Sequence, residues 1–278
     1  MDKLEAFRTI ALQAGQGELT FPTNVNASLK IKRMLDNPDC NLASAGQLLM
    51  TEPLIAARAL AMANSATYNR SGGEITKLSA AVMRLGLRTL QSLVAAEIVR
   101  QFASKITDPA IRSKAAQLWE HTAHVAALAH VIARRVTNVD PETAMFAGII
   151  HEIGGFYLLS RAHDFPGVLD VQSEGWLEFG EKAIGRRVLT KLSMPEAVIA
   201  AVESLWFGEH NRPPVTLGDT LMLANDLAPV ASPLHKKEGA THQPATTIID
   251  FEVGEETLQS ILLESADEIK ALVASLMT

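Results

Sequence analysis

The stretch Thr51–Gly86, TEPLIAARALAMANSATYNRSGGEITKLSAAVMRLG, decides the fold class, and GIIHEIGGFYLL at 148–159 decides where chemistry could sit. In the first, Thr51 ahead of Glu52-Pro53 makes an N-cap and first turn for a helix carrying Leu54, Ile55, Leu60 and Met62. Asn64-Ser65 falls at its end, where short polar side chains satisfy orphan carbonyls and amides. Ser71-Gly72-Gly73 signals a turn. Thr76 is placed to cap a second helix bearing Leu78, Val82, Met83 and Leu85, which Gly86 ends or bends.

The same pattern runs outward in both directions. Upstream, Pro22-Thr23 opens a segment with Val25, Leu29, Met34 and Leu35 that stops at Asn37-Pro38, and Leu42–Met50 is a short apolar helix. Downstream, Leu87, Leu90, Val94, Ile98 and Phe102 recur at helical spacing. Asp108-Pro109 and Asp140-Pro141 are matching cap-proline starts, the first opening a helix to about Val136 and the second a helix that runs into His151. Further helices are expected near 162–173, 176–191, 194–207 and 215–228, with a closing helix over 255–276. Residues 229–247 read as one long loop, and 246–251 as at most a short strand, which is unstable in isolation. The class is all-α: an N-terminal helical lobe, 1–105, packed on a second helical lobe, 106–278, with a seam near 103–108.

Composition narrows the function. Hydrophobic content of 47% with 20% charged residues fits a globular core rather than disorder. The lone Cys40 excludes an intrachain disulfide and fits a reducing cytoplasm. The start, MDKLEAFRTIALQAG, has no apolar signal region. Arg84, Arg88, Glu97 and Arg100 interrupt the apolar run 78–102, so no membrane span is expected. The net charge of −6 resides in residues 250–278, where seven carboxylates face Lys270 alone, leaving a neutral body. No basic field of the size that phosphate-backbone binding demands is present, so nucleic acid is not an expected partner.

Candidate chemistry lies with the histidines. His121 and His124, three residues apart in LWEHTAHVAALAH, can share one helix face, whereas His130, nine residues beyond His121 at about 100° per residue, falls on the opposite side. His151-Glu152 sits at the end of an apolar helix, AMFAGIIHEIGG, just before Gly154-Gly155, and two polar side chains there need partners: a metal, or a histidine–carboxylate bond. The segment is not a zinc-protease helix, because the position of its second histidine is Gly155. No P-loop, dinucleotide fingerprint, GxSxG or CxxC occurs.

Taken together, Phe21-Pro22, Asn37-Pro38-Asp39, Thr51-Glu52-Pro53, Ala63-Asn64-Ser65, Ile75–Gly86, Leu118-Trp119-Glu120-His121 and Ala147–Gly154 resemble the bacterial HDOD family over about 19–228. That family is a signal-output relative of the HD metal-dependent phosphohydrolases, and Glu52-Pro53 stands where it usually has Asp-Pro. The resemblance implies an HD-like second lobe. Carried over residue by residue, the first metal-binding histidine falls on His121 and the His-Asp pair on His151-Glu152. The closing aspartate falls on Asn225, or on Asp226 with a one-residue shift; the second-metal His-His pair falls on Leu205-Trp206, and an intervening histidine on Glu181 or Lys182. Leucine and tryptophan donate no lone pair to a metal. Two-metal hydrolysis clamps attacking and leaving oxygens between ions about 3.5–4 Å apart, so His121, His151 and Glu152 are expected to retain one weakly held divalent metal at most and no required cofactor. The expectation is a vestigial site in a non-catalytic output or adaptor protein. It would dock signalling partners, with Asn64, Ser65 and Tyr68 as the docking motif and the input supplied by a separate protein. The alternative is a metal-dependent phosphohydrolase acting on nucleotides or cyclic dinucleotides.

Overall fold

The computed structural model describes residues 3–16, 19, 25–70, 72–104, 106–165, 176–207, 211, 213–234, 249–254 and 256–277. Phe21-Pro22, Pro22-Thr23, Ser71, most of the 162–173 helix and the 229–247 loop, and the start of the 246–251 strand lie outside them.

Five helices come first: α1 (Lys3–Gly15), α2 (Val25–Leu35), α3 (Leu42–Leu49), α4 (Pro53–Ala63) and α5 (Leu78–Ala103). Then follow α6 (Pro109–Ile132) with a π-helical extension Ala133–Thr137, α7 (Pro141–Ile150) and α8 (Ile153–Arg161). A π-helical segment Trp176–Gly185 leads into α9 (Arg186–Lys191), α10 (Glu196–Phe207) and α11 (Leu217–Leu227). A two-residue antiparallel hairpin, β1 (Glu252–Val253) with β2 (Glu256–Thr257), precedes α12 (Leu258–Glu264) and α13 (Ala266–Met277). The chain is all-α apart from that hairpin, an N-terminal helical lobe packed on an HD-like helical lobe. Among the described residues no helix is long and apolar enough to cross a membrane.

The cap-proline starts form as the sequence predicts. Asp108 accepts from the amides of Ala110 and Ile111, and Asp140 from that of Thr143. Several local expectations differ. Thr51 donates its hydroxyl to the Leu48 carbonyl and closes α3, so Glu52 rather than Thr51 is the N-cap of α4. Lys77, not Thr76, precedes α5, also without a side-chain cap. Gly86 (φ 74°, ψ 170°) breaks that helix into two segments, a conformation closed to side chains with a Cβ. Gly154-Gly155 do not end the helical structure but lie inside α8: a Cβ on Gly154 would stand 2.8 Å from the Gly185 Cα, so glycine there permits close backbone packing. The expected closing helix is two, because Ser265 (φ −92°, ψ 5°) separates α12 from α13.

Packing assigns the roles of the elements. α5 is the spine of the N-terminal lobe, in contact with α2, α3 and α4, and it also lies against α7 and α8. α6 is the spine of the second lobe, flanked by α7, α11 and α13. α1 packs mainly on Trp176–Gly185, with α9 beside it, so the first helix in sequence lies with the second half of the chain.

Candidate metal centre

The site begins with a close helix crossing. A Cβ on Gly148 of α7 would fall 2.5 Å from the Ala126 Cα of α6, so glycine lets the two backbones touch. This brings His121, in the middle of α6, opposite His151, which forms the C-cap of α7. Glu152 follows as the N-cap of α8, so the His-Glu pair occupies the joint between two short helices. All three residues are buried, and one ligand atom from each lies within 4.8 Å of the others.

The hydrogen bonds fix the histidine tautomers. His121 Nδ1 lies 2.7 Å from the Val230 carbonyl, and His151 Nδ1 lies 2.7 Å from the Gly148 carbonyl. A carbonyl only accepts, so both Nδ1 atoms carry the proton and, in the neutral rings, both Nε2 atoms present lone pairs. Those Nε2 atoms face each other at 3.3 Å. Two opposed lone pairs repel, and a shared proton or a cation between them removes the repulsion. Zinc held tetrahedrally by two imidazoles at about 2.0–2.1 Å places their nitrogens roughly 3.3 Å apart, and backbone carbonyls behind the Nδ1–H groups are the usual second layer of metal-bound histidine. His121, His151 and Glu152 therefore fit one divalent metal, for which they would supply two neutral nitrogens and one carboxylate.

Among the described His, Cys, Asp and Glu side chains, none but these three belongs to the cluster. Asn225 and Asp226 are half-buried on α11, and the Asp226 carboxylate is not part of the group. Leu205 is half-buried and Trp206 buried; the Trp206 ring packs toward Gly185, which in turn abuts Gly154 of α8. Lys182 extends over the Phe207 ring, and the Glu181 side chain lies outside the described residues. His124 does not accompany His121: it lines a groove with Leu128, Ile269 and Val273, where burial lowers its pKa.

Asn64 and Tyr68 have other partners. The Asn64 amide grips the Ile75 backbone at both ends, accepting from its N–H at 2.8 Å and donating to its carbonyl at 2.7 Å. Ser65 donates to the Met62 carbonyl. The Tyr68 hydroxyl donates to Glu142 of α7 at 3.2 Å, and Thr89 of α5 donates to the other carboxylate oxygen at 2.9 Å. His130, on the face of α6 opposite His121, stands between Glu142 and Glu268 of α13, and Arg134 grips Glu268 with both terminal nitrogens. Sequence reasoning missed this junction, since its members come from five separate segments.

Comparison with known proteins agrees with the fold. A candidate metal-dependent phosphohydrolase from Shewanella amazonensis SB2B superposes with a TM-score of 0.72 at 20% identity, over 99% of each chain. An HDOD domain protein of unknown function from Geobacter sulfurreducens gives 0.65 at 21% over 98% of each. A candidate signal transduction protein from Marinobacter aquaeolei VT8 gives 0.61 at 17%, covering 100% of this chain and 67% of that one. Among curated proteins none matches. The HDOD domain model matches residues 21–206, two thirds of the sequence, and the chain belongs to the HDOD domain family.

Proposed function

We propose that the protein is a signal-output adaptor whose HD-type site has lost hydrolytic capacity and acts through protein–protein interaction. The observation that carries this is the ligand set. His121, His151 and Glu152 form a single cluster, while the positions equivalent to the second-metal histidines are Leu205 and the buried Trp206. A metal held by the three would polarise a phosphoryl oxygen, but these residues offer no second ion to hold the nucleophile opposite the leaving group. A role in signalling accords with the family and with the similarity to the Marinobacter protein. The partner is a signalling protein, and the protein works in the cytoplasm.

One observation favours a second reading, a mononuclear phosphohydrolase acting on nucleotides or cyclic dinucleotides: the two Nδ1–H groups are backed by carbonyls as in working metal sites. Assays of purified protein with nucleoside phosphates and cyclic dinucleotides, supplied in turn with manganese, magnesium and iron, separate the two. The adaptor reading expects no turnover above background and capture of a signalling partner that changes on the Asn64–Tyr68 surface weaken while the circular dichroism stays unchanged. Turnover abolished by chelator and by His151→Ala overturns it.

A further inference from the structure

The segment Lys182–Lys191, from the end of the second π-helical stretch through α9, carries four cations: Lys182, Arg186, Arg187 and Lys191. All four, with Leu19, Ala183 and Thr190, line one recess of about 630 Å³, and among the described residues no carboxylate lines it. Arg186 is satisfied from outside, by Glu203 and by Glu196 at 3.7 Å, and the Lys182 ammonium sits 5.0 Å from the centre of the Phe207 ring. Arg187 and Lys191 are exposed, and neither has a carboxylate within ion-pair distance among the described residues. In a chain of net charge −6, the described residues thus gather cations on one concavity, where Arg187 and Lys191 would gain from an entering anion.

Size and chemistry define that anion. Small-molecule sites commonly enclose about 300–1,000 Å³, a range that includes this recess. Phosphate oxygens suit both cation types, the planar guanidinium as a two-pronged donor and the ammonium as a point charge. Thr190 donates its hydroxyl proton to the Arg186 carbonyl, so charge rather than a hydroxyl donor would hold the ligand. Leu19 and Ala183 supply an apolar patch beside the cations. The basic surface is local, far shorter than the track a nucleic-acid strand needs.

We propose that this recess binds a small molecule carrying at least two phosphate groups, a nucleoside diphosphate or triphosphate. The inference rests on the adaptor reading only in giving it a small-molecule input. Binding is measured without any partner, so the two can fail separately.

The test is isothermal titration of the whole protein, in buffer containing chelator, with ADP, pyrophosphate, adenosine, sulfate and a single-stranded oligonucleotide. ADP and pyrophosphate should bind and adenosine and sulfate should not. Arg187→Ala/Lys191→Ala, whose side chains are exposed, should weaken ADP about tenfold or more with the circular dichroism unchanged. ADP binding should weaken with added salt and survive His151→Ala. Absence of ADP binding at millimolar concentration, or sulfate binding as well as pyrophosphate, overturns the proposal. So does ADP affinity unchanged in the double variant or lost in His151→Ala, which would assign the phosphates elsewhere. Tighter binding of the oligonucleotide than of ADP would assign the surface to nucleic acid and also overturns it.

Discussion

At the scale of the residue, two opposed imidazoles carry the chemical content of the site. Because both Nε2 lone pairs are available to a metal and protons compete for them, binding weakens as pH falls. Titration with zinc or cobalt should saturate at one equivalent, and His121→Ala or His151→Ala should abolish it. Asn64 acts on structure first: its amide binds the Ile75 N–H and carbonyl as a neighbouring strand would, folding the 64–77 loop back on α4. Asn64→Ala should cost about 1–2 kcal/mol, read as a lower denaturation midpoint. Asp219 offers a pH test. Burial would raise its pKa, but bonds from the Thr216 hydroxyl, the Val215 and Thr216 amides and Asn211 hold it down to about 2. A depressed carboxyl pKa contributes stability that is complete above the unfolded value, about 3.9, and lost as pH falls toward the folded one. The stability gap between the native protein and Asp219→Asn should therefore be full at neutral pH and close on acidification toward pH 2.

At the scale of the element, the crossing of α6 and α7 is the part most sensitive to volume. Gly148→Ala would place its Cβ 2.5 Å from the Ala126 backbone, which no side-chain rotation relieves. Forcing the helices apart should cost about 1–3 kcal/mol and separate His151 from His121. Metal binding should fall more steeply than stability, a comparison that zinc titration and thermal melting make directly.

At the scale of the whole molecule, Glu142 gathers the lobes. Tyr68 from the 64–77 loop, Thr89 from α5 and His130 from α6 converge on its carboxylate, and Glu268 of α13 approaches from the other side of His130. Burial first, and then the Glu142 carboxylate, push the Tyr68 hydroxyl above its ordinary pKa and keep it a donor. For a group whose folded pKa is raised, the stability it contributes is complete below the unfolded value, about 10, and declines as pH rises beyond it. Glu142→Gln should lower stability by about 1–3 kcal/mol in chemical denaturation, and a second unfolding step should appear if the junction couples the two lobes.

The all-helical class was legible in the sequence because helix periodicity and cap-proline starts are local: Asp108-Pro109 and Asp140-Pro141 cap in the structure as the string reads. His121, His151 and Glu152 were legible because the HDOD-like order of motifs names them, and the opposite placement of His130 follows from helix geometry alone. Residues that depend on contacts far away in sequence were not. Gly154-Gly155 read as a helix end because only residues distant in sequence, Gly185 against Gly154 and Leu234 against Gly155, show that the glycines serve close packing. Thr51 and Thr76 had the residue type of a cap but not the partners, and α1 joined the second half of the chain through a surface that only the assembled helices present. Which histidine faces which, and that both offer lone pairs to the same point, follows from the Val230 and Gly148 carbonyls. Sequence alone determined the helices and the candidate ligands; tertiary structure decided their geometry, because hydrogen bonds to a distant backbone set a tautomer that no spacing can encode.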